Sequence, residues 1–125
     1  MLFDTDIIIW IQRGCQKAAR AVDAESDRFI SVITYMELLQ NAQNKEQHLL
    51  VKKFLSDFEF IILPLSENIG HRASIYIEEY SLGNGIAADD ALIAATSIEN
   101  SQKLFSGNYK HYKIIRELDL KRFIP

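Results

Sequence analysis

One cysteine, two prolines and five glycines are all that this 125-residue chain holds of those three residue types. The lone Cys15 excludes an internal disulfide, fits a reducing, cytoplasmic setting, and reads as a small packing residue. With proline confined to Pro64 and Pro125 and glycine sparse, nothing in the chain reads as a linker, and residues 1–125 are expected to form a single domain. No apolar run approaches the roughly 20 residues of a membrane helix. No basic leader precedes an apolar stretch, so neither a membrane association nor a secretory signal is expected. A strong charge of one sign is also missing. Lys and Arg number 14 against 17 Asp and Glu, and the net charge of −3 gives no global pull toward a polyanion. A nucleic-acid binder of this balance needs a local basic face. Three catalytic signatures are absent as well: a Gly-rich phosphate loop, Cys/His zinc spacing and a Gly-flanked serine nucleophile.

What the chain does contain is 48% hydrophobic residues, arranged as short apolar runs that alternate with amphipathic stretches. Leu2–Asp4, Phe29–Val32, Phe60–Leu63 and Lys103–Ser106 read as strands, and Lys121–Ile124 as a fifth, at an edge. Between them, helices are expected from Ile7, over Gln16–Ala24, Thr34–Asn41, Gln47–Phe58, Ile69–Tyr80, Ala88–Glu99 and Tyr109–Arg116. On the fourth of these, Leu50, Phe54, Leu55 and Phe58 fall at helical spacing, and Gly83-Asn84-Gly85 reads as a loop. Alternating strands and helices imply a mainly parallel sheet of four to five strands with helices on both faces. Ligands of such sheets bind beyond the carboxyl ends of the strands. Asp4, the Thr34–Glu37 turn and Ser106–Asn108 all fall just after expected strands, so topology alone directs them to one edge.

Four apolar runs are interrupted by polar groups whose burial is costly: LFDTDIII at Leu2–Ile9, TYMELL at Thr34–Leu39, DDALIAAT at Asp89–Thr96 and FSGNYKHY at Phe105–Tyr112. Each has an ordinary explanation. Asp4 and Thr5 are good helix caps, and Thr34 with Glu37 three residues on matches a capping box. Asp89 and Asp90 suit a helix's first turn, and Ser106 and Asn108 suit the cap of a short helix. Asp89 and Asp90 stand about 100° apart on a helix and cannot both face one point. Periodicity does not choose between them. Together, however, acids that converge without a paired base point to a hard divalent cation and a phosphate-bearing substrate. His48 and His71 lie on amphipathic helices with no acid pattern nearby and are given no role.

The four segments, in this order and nearly spanning the chain, resemble the PIN domain, and within it the VapC-type toxins of prokaryotic toxin–antitoxin pairs. LFDTDIIIWIQRG resembles the opening strand with its Asp-Thr motif, FISVITYMELLQNA the second motif with its Glu, DDALIAATSIEN the third, and LFSGNYKHY the fourth. The resemblance implies a three-layer α/β/α sandwich and an endoribonuclease dependent on Mg2+ or Mn2+. It implies metal carboxylates at Asp4, Glu37 and Asp90, with Asp6 or Asp89 as possible further ligands. Thr5, Ser106, Asn108 and His111 would support the pocket. His111 stands where many relatives carry a fourth acid, which leaves a second metal position open. The resemblance further implies a homodimer and a cognate antitoxin that inserts a segment into a groove of the toxin. Trp10, Tyr35 and Met36 are candidates for that groove, although the core is the commoner place for such residues.

RNA would need a basic surface, and the stretch from Lys103 to Arg122 carries six basic residues against Glu117 and Asp119. Lys110, Lys113 and Arg116 are its candidate RNA contacts, while Arg13, with Lys17 and Arg20, marks a second patch. Two alternatives stand beside a toxin ribonuclease. One is a non-catalytic module of the same fold that binds RNA or a partner; the other is a nuclease of RNA maturation or decay.

Overall fold

In the computed structural model, which describes residues 1–125, five short strands form one all-parallel sheet. They are β1 (Leu2–Phe3), β2 (Phe29–Ser31), β3 (Ile61–Leu63), β4 (Leu104–Ser106) and β5 (Leu120–Arg122), in the order β3-β2-β1-β4-β5. Seven helices connect them: α1 (Thr5–Gln12), α2 (Gln16–Asp23), α3 (Val32–Asn41), α4 (Lys45–Asp57), α5 (Glu67–Asn84), α6 (Ala88–Glu99) and α7 (Tyr109–Tyr112). The chain starts at the centre, winds outward through β2 and β3, then returns to place β4 on the other side of β1. This reversal beside β1 opens the crevice in which parallel α/β sheets bind ligands.

Residue alternation along each strand sorts the core into two layers, because successive side chains point to opposite faces. Leu2 and Leu104 pack beneath α5 and α6 with Ala73, Tyr76, Ile93 and Tyr112. Phe3, Ile30 and Phe105 face the other way, against Ile7, Val22, Leu38 and Leu55. Phe3 meets Phe60 and Phe105 edge-on, both at 5.9 Å between ring centroids. The result is the three-layer sandwich expected from the alternation. Cys15 packs partly buried against the second layer. No helix is long and apolar enough to cross a membrane.

Four local expectations are corrected. Helix α5 runs on to Asn84, taking in Gly83, and stops at Gly85, whose φ of 79° is the left-handed cap that glycine tolerates best. Helix α7 ends at Tyr112 rather than Arg116. On α4 the buried positions are Val51 and Leu55, whereas Leu50 is 59% exposed. Helix α3 begins at Val32 because the Ser31 hydroxyl, not that of Thr34, caps it, accepting from the Ile33 N–H at 3.0 Å.

Candidate active site

Asp4 directly follows β1 and caps α1. Its Oδ1 accepts from the Thr5 N–H at 2.8 Å, and its Oδ2 from the Ser106 hydroxyl at 2.6 Å. The side chain is thus pinned between two adjacent strand ends, with the residue only 4% exposed. Burial pushes its carboxyl up to about 7, and the nearby Asp6 adds to this; the hydrogen bonds from Ser106 and Thr5 pull the other way. Asp6, in the first turn of α1, accepts from the Gly107 N–H at 2.8 Å through Oδ2, while its Oδ1 is buried without a partner. Burial raises its carboxyl too. Glycine suits the loop after β4: a Cβ on Gly107 would lie 2.8 Å from Asp6 Oδ2 and push that carboxylate aside.

The second motif joins through a chain of hydroxyls. Thr5 Oγ1 donates to Glu37 Oε1 at 2.8 Å and lies 2.9 Å from Thr34 Oγ1. A hydroxyl has one proton to give, so Thr34 donates to Thr5 and Thr5 to Glu37. The capping box that the sequence suggests therefore does not form. Thr34 is fully buried, and Glu37 is held by α1 rather than by its own helix. Desolvation raises the Glu37 carboxyl despite the Thr5 bond, and Asp89 beside it adds to the rise.

Helix α6 settles the choice that periodicity left open. Asp90 enters the crevice: its Oδ2 accepts from Asn108 Nδ2 at 3.1 Å and its Oδ1 from the Tyr112 hydroxyl at 3.3 Å. Asp89 turns its Oδ1 back to the Asp90 N–H at 2.9 Å. Burial, then Asp89, raises the Asp90 carboxyl. His111 Nδ1 stands 3.6 Å from Asp90 Oδ2, buried and without a hydrogen bond. Ser106 also accepts from the Asn108 N–H at 2.9 Å, which shapes the turn that presents Asn108.

The crevice thus gathers Asp4, Asp6, Glu37, Asp90 and, at its rim, Asp89, with Thr5, Ser106, Asn108 and His111 around them. No Lys or Arg forms an ion pair with any of these acids. Sequence reasoning missed Tyr112 and Gly107. A lone glycine straight after a strand was the available sign of a close backbone approach; Tyr112 carried no sign beyond its place in the fourth motif.

The basic candidates lie outside the crevice. Arg13 caps the far end of α1, over the Trp10 ring at 6.0 Å. Lys110, Lys113 and Arg116 are exposed on or after α7. A groove of about 460 Å³ opens between α1, α3 and α4, lined by Ile11, Leu38, Ala42, Leu50, Val51 and Phe54 among others. Trp10, Tyr35 and Met36 do not line it; Trp10 and Tyr35 pack against the core and Met36 is 49% exposed.

The donors fit a hard cation. They are carboxylate oxygens, raised by burial, and Asp6 Oδ1 is buried with nothing to bind. As arranged, no three acidic or histidine side chains close on a single point. Mg2+ does not require that, since it is commonly held by one or two carboxylates and completes its shell with water and substrate phosphate.

A parallel sheet with this acid crevice at its switch point defines a class, and the chain belongs to it: the PIN domain family model matches residues 1–117. Among curated proteins it is similar to Ribonuclease VapC1 of Rickettsia felis, at 29% identity over 126 residues covering 96% of this chain and 93% of the relative. Among solved structures it is similar to a chain of a toxin–antitoxin complex from Klebsiella pneumoniae, at 30% identity and a TM-score of 0.79, covering 94% and 93% of the two chains. VapBC2 from Rickettsia felis, bound to a DNA fragment from its promoter, shares the fold at a TM-score of 0.81 and 23% identity, with 98% of each chain covered.

Proposed function

We propose that this protein is a divalent-metal-dependent endoribonuclease, the toxin of a toxin–antitoxin pair, acting as one unit over residues 1–125. The observation that carries the reading is a set of buried and half-buried carboxylates, raised by desolvation and paired with no Lys or Arg, at the reversal point of a parallel sheet. The names of the relatives, a ribonuclease and a toxin–antitoxin complex, support it.

In this reading Asp4, Glu37 and Asp90 would hold Mg2+ or Mn2+, with Asp6 or Asp89 as a further ligand. Such an ion supplies a water-derived nucleophile at neutral pH and stabilises the leaving oxygen of the phosphodiester. The chain's own part is orientation. Ser106 fixes Asp4, the Thr34–Thr5 relay fixes Glu37, and Asn108 with Tyr112 fixes Asp90. Groups that hold metal ligands in this way sharpen affinity as much as geometry. The buried acids must also shed protons as the cation enters, so affinity rises with pH.

The antitoxin would occupy the apolar groove between α1, α3 and α4, and a homodimer and a cytoplasmic location belong to the same reading. Light scattering at micromolar concentration reads the dimer directly, and a monomer there removes it. Asp90→Asn tests the activity: it should abolish RNA cleavage while the thermal melt stays cooperative, and full residual cleavage would refute the assignment. His111, standing where many PIN relatives place an acid, favours one competitor, a non-catalytic binding module. That competitor wins if millimolar Mg2+ or Mn2+ neither binds nor supports cleavage.

A further inference from the structure

Lys17, from one basic patch of the sequence, meets Lys121 and Arg122, from the other, at the edge of the sheet. Strand β5 is an edge strand, and its two cations point to opposite faces. Lys121 lies over the Phe105 ring at 5.4 Å. Arg122 lies over the Tyr109 ring at 4.8 Å, where Lys113 also approaches at 5.9 Å. From α2, Lys17 reaches the same edge, lying over Phe123 at 5.8 Å and donating to the Ile124 carbonyl. Lys17, Lys121 and Arg122 line one groove of about 330 Å³ floored by Phe105 and Phe123. All three cations, and Lys113, are exposed, and none forms an ion pair.

This edge is joined to the acid crevice. The Phe123 N–H donates to the Ser106 carbonyl at 2.8 Å. The Phe123 carbonyl lies 3.5 Å from where a Gly107 Cβ would stand, and the Gly107 N–H holds Asp6. We propose that Lys17, Lys121 and Arg122, with Lys113 and the 37% exposed Tyr109, form a strip that binds the backbone of single-stranded RNA leading into the crevice. The inference rests on the ribonuclease reading and names the surface that reading lacks. It keeps Lys113 and moves the other RNA contacts from Arg13, Lys110 and Arg116 to the β5 edge.

Lysines on an edge strand also discourage strand pairing. That role accounts for Lys121 and Arg122 but not for Lys17 and Lys113, which come from other elements to the same place. Unneutralised cations beside aromatic rings are the composition of a single-strand site, in which charge tracks the phosphates and a ring can stack a base. A duplex offers no free base face to Tyr109, which is why an unpaired strand is the favoured ligand.

The test is fluorescence anisotropy with a labelled single-stranded RNA 12-mer in EDTA, so that binding is read without cleavage. The full chain is compared with its K17E/K121E/R122E variant and with a K45E/K52E/K53E control on α4 of equal charge change. The strip variant should bind at least about ten-fold more weakly, and its log–log salt slope should fall by roughly 2, at about 0.7 per lost phosphate contact on a single strand. The control should stay within about two-fold of wild type, allowing for a general change in net charge. Equal weakening in both variants, or no weakening in the strip variant, overturns the proposal while leaving the ribonuclease reading intact. Wild-type protein that neither binds nor cuts RNA overturns both. Should the charge reversal unfold the edge, K17Q/K121Q/R122Q carries the same comparison with a smaller expected loss.

Discussion

Helix α6 carries acids at both ends, and the two ends are built on opposite principles. In its last turn Glu99 meets Arg72, whose Nε and Nη2 both lie 2.7 Å from Glu99 Oε2. Glu117 joins this cluster, accepting from the Tyr76 hydroxyl at 2.5 Å with Arg72 Nη1 at 3.8 Å. The Tyr76 bond holds the Glu117 carboxyl below the usual range. In the first turn Asp90 sits with Asp4, Asp6 and Glu37, all raised by burial and none paired with a Lys or Arg; the one base nearby is His111, 3.6 Å from Asp90. One end is a closed ionic clasp that ties α5, α6 and the chain after α7 together. The other is a charge deficit that folding alone leaves uncompensated, which is the mark of a site completed by something from outside.

The largest effect should come from removing a ligand at the open end. Asp4→Asn, like Asp90→Asn, is expected to bring RNA cleavage to background without loss of fold, as read by cleavage of a labelled RNA and by circular dichroism. Next comes a supporting group: Ser106→Ala should weaken metal affinity or activity by about 10–100-fold, measured by metal titration of the activity. An unchanged metal affinity would mean that Asp4 needs no help from Ser106.

Asp4 is raised from 3.8 to about 7, so the folded chain binds this proton more tightly than the unfolded one. The stabilisation is fully present below pH 3.8 and is lost as pH rises through about 7. In the absence of metal, wild type should therefore lose stability relative to Asp4→Asn between pH 4 and pH 8, by an amount on the order of 4 kcal/mol. Parallel denaturation curves of the two proteins across that range would contradict it. The smallest effect belongs to the closed end. Arg72→Ala should cost about 1–2 kcal/mol, since the side chain is partly solvated, and leave cleavage untouched. A loss of cleavage there would break the division between the two ends.

The same contrast explains what the sequence could convey. Helix α6 is legible to the residue, Ala88–Glu99, because its apolar run is bounded by acids on both sides. Asp4, Ser106 and Asn108 are legible because each ends or follows a strand, and a parallel sheet brings strand ends together. The clasp is not legible: Arg72, Glu99 and Glu117 lie on three separated segments with no motif to join them. Nor is Glu37's true partner, since the local capping box and the tertiary bond to Thr5 use the same residues, and tertiary packing won. Gly83 suggested a loop because glycine weakens helices, yet the left-handed turn was needed only at Gly85.

The central claim, that the acid crevice is a divalent-cation site, is tested most directly by calorimetric titration of the purified chain with Mn2+ and Mg2+ at several pH values. The expected result is binding that strengthens from pH 6 to pH 8, releases protons, and disappears in Asp4→Asn and Asp90→Asn. Binding that is absent at millimolar metal, or that survives unchanged in both variants, would contradict it.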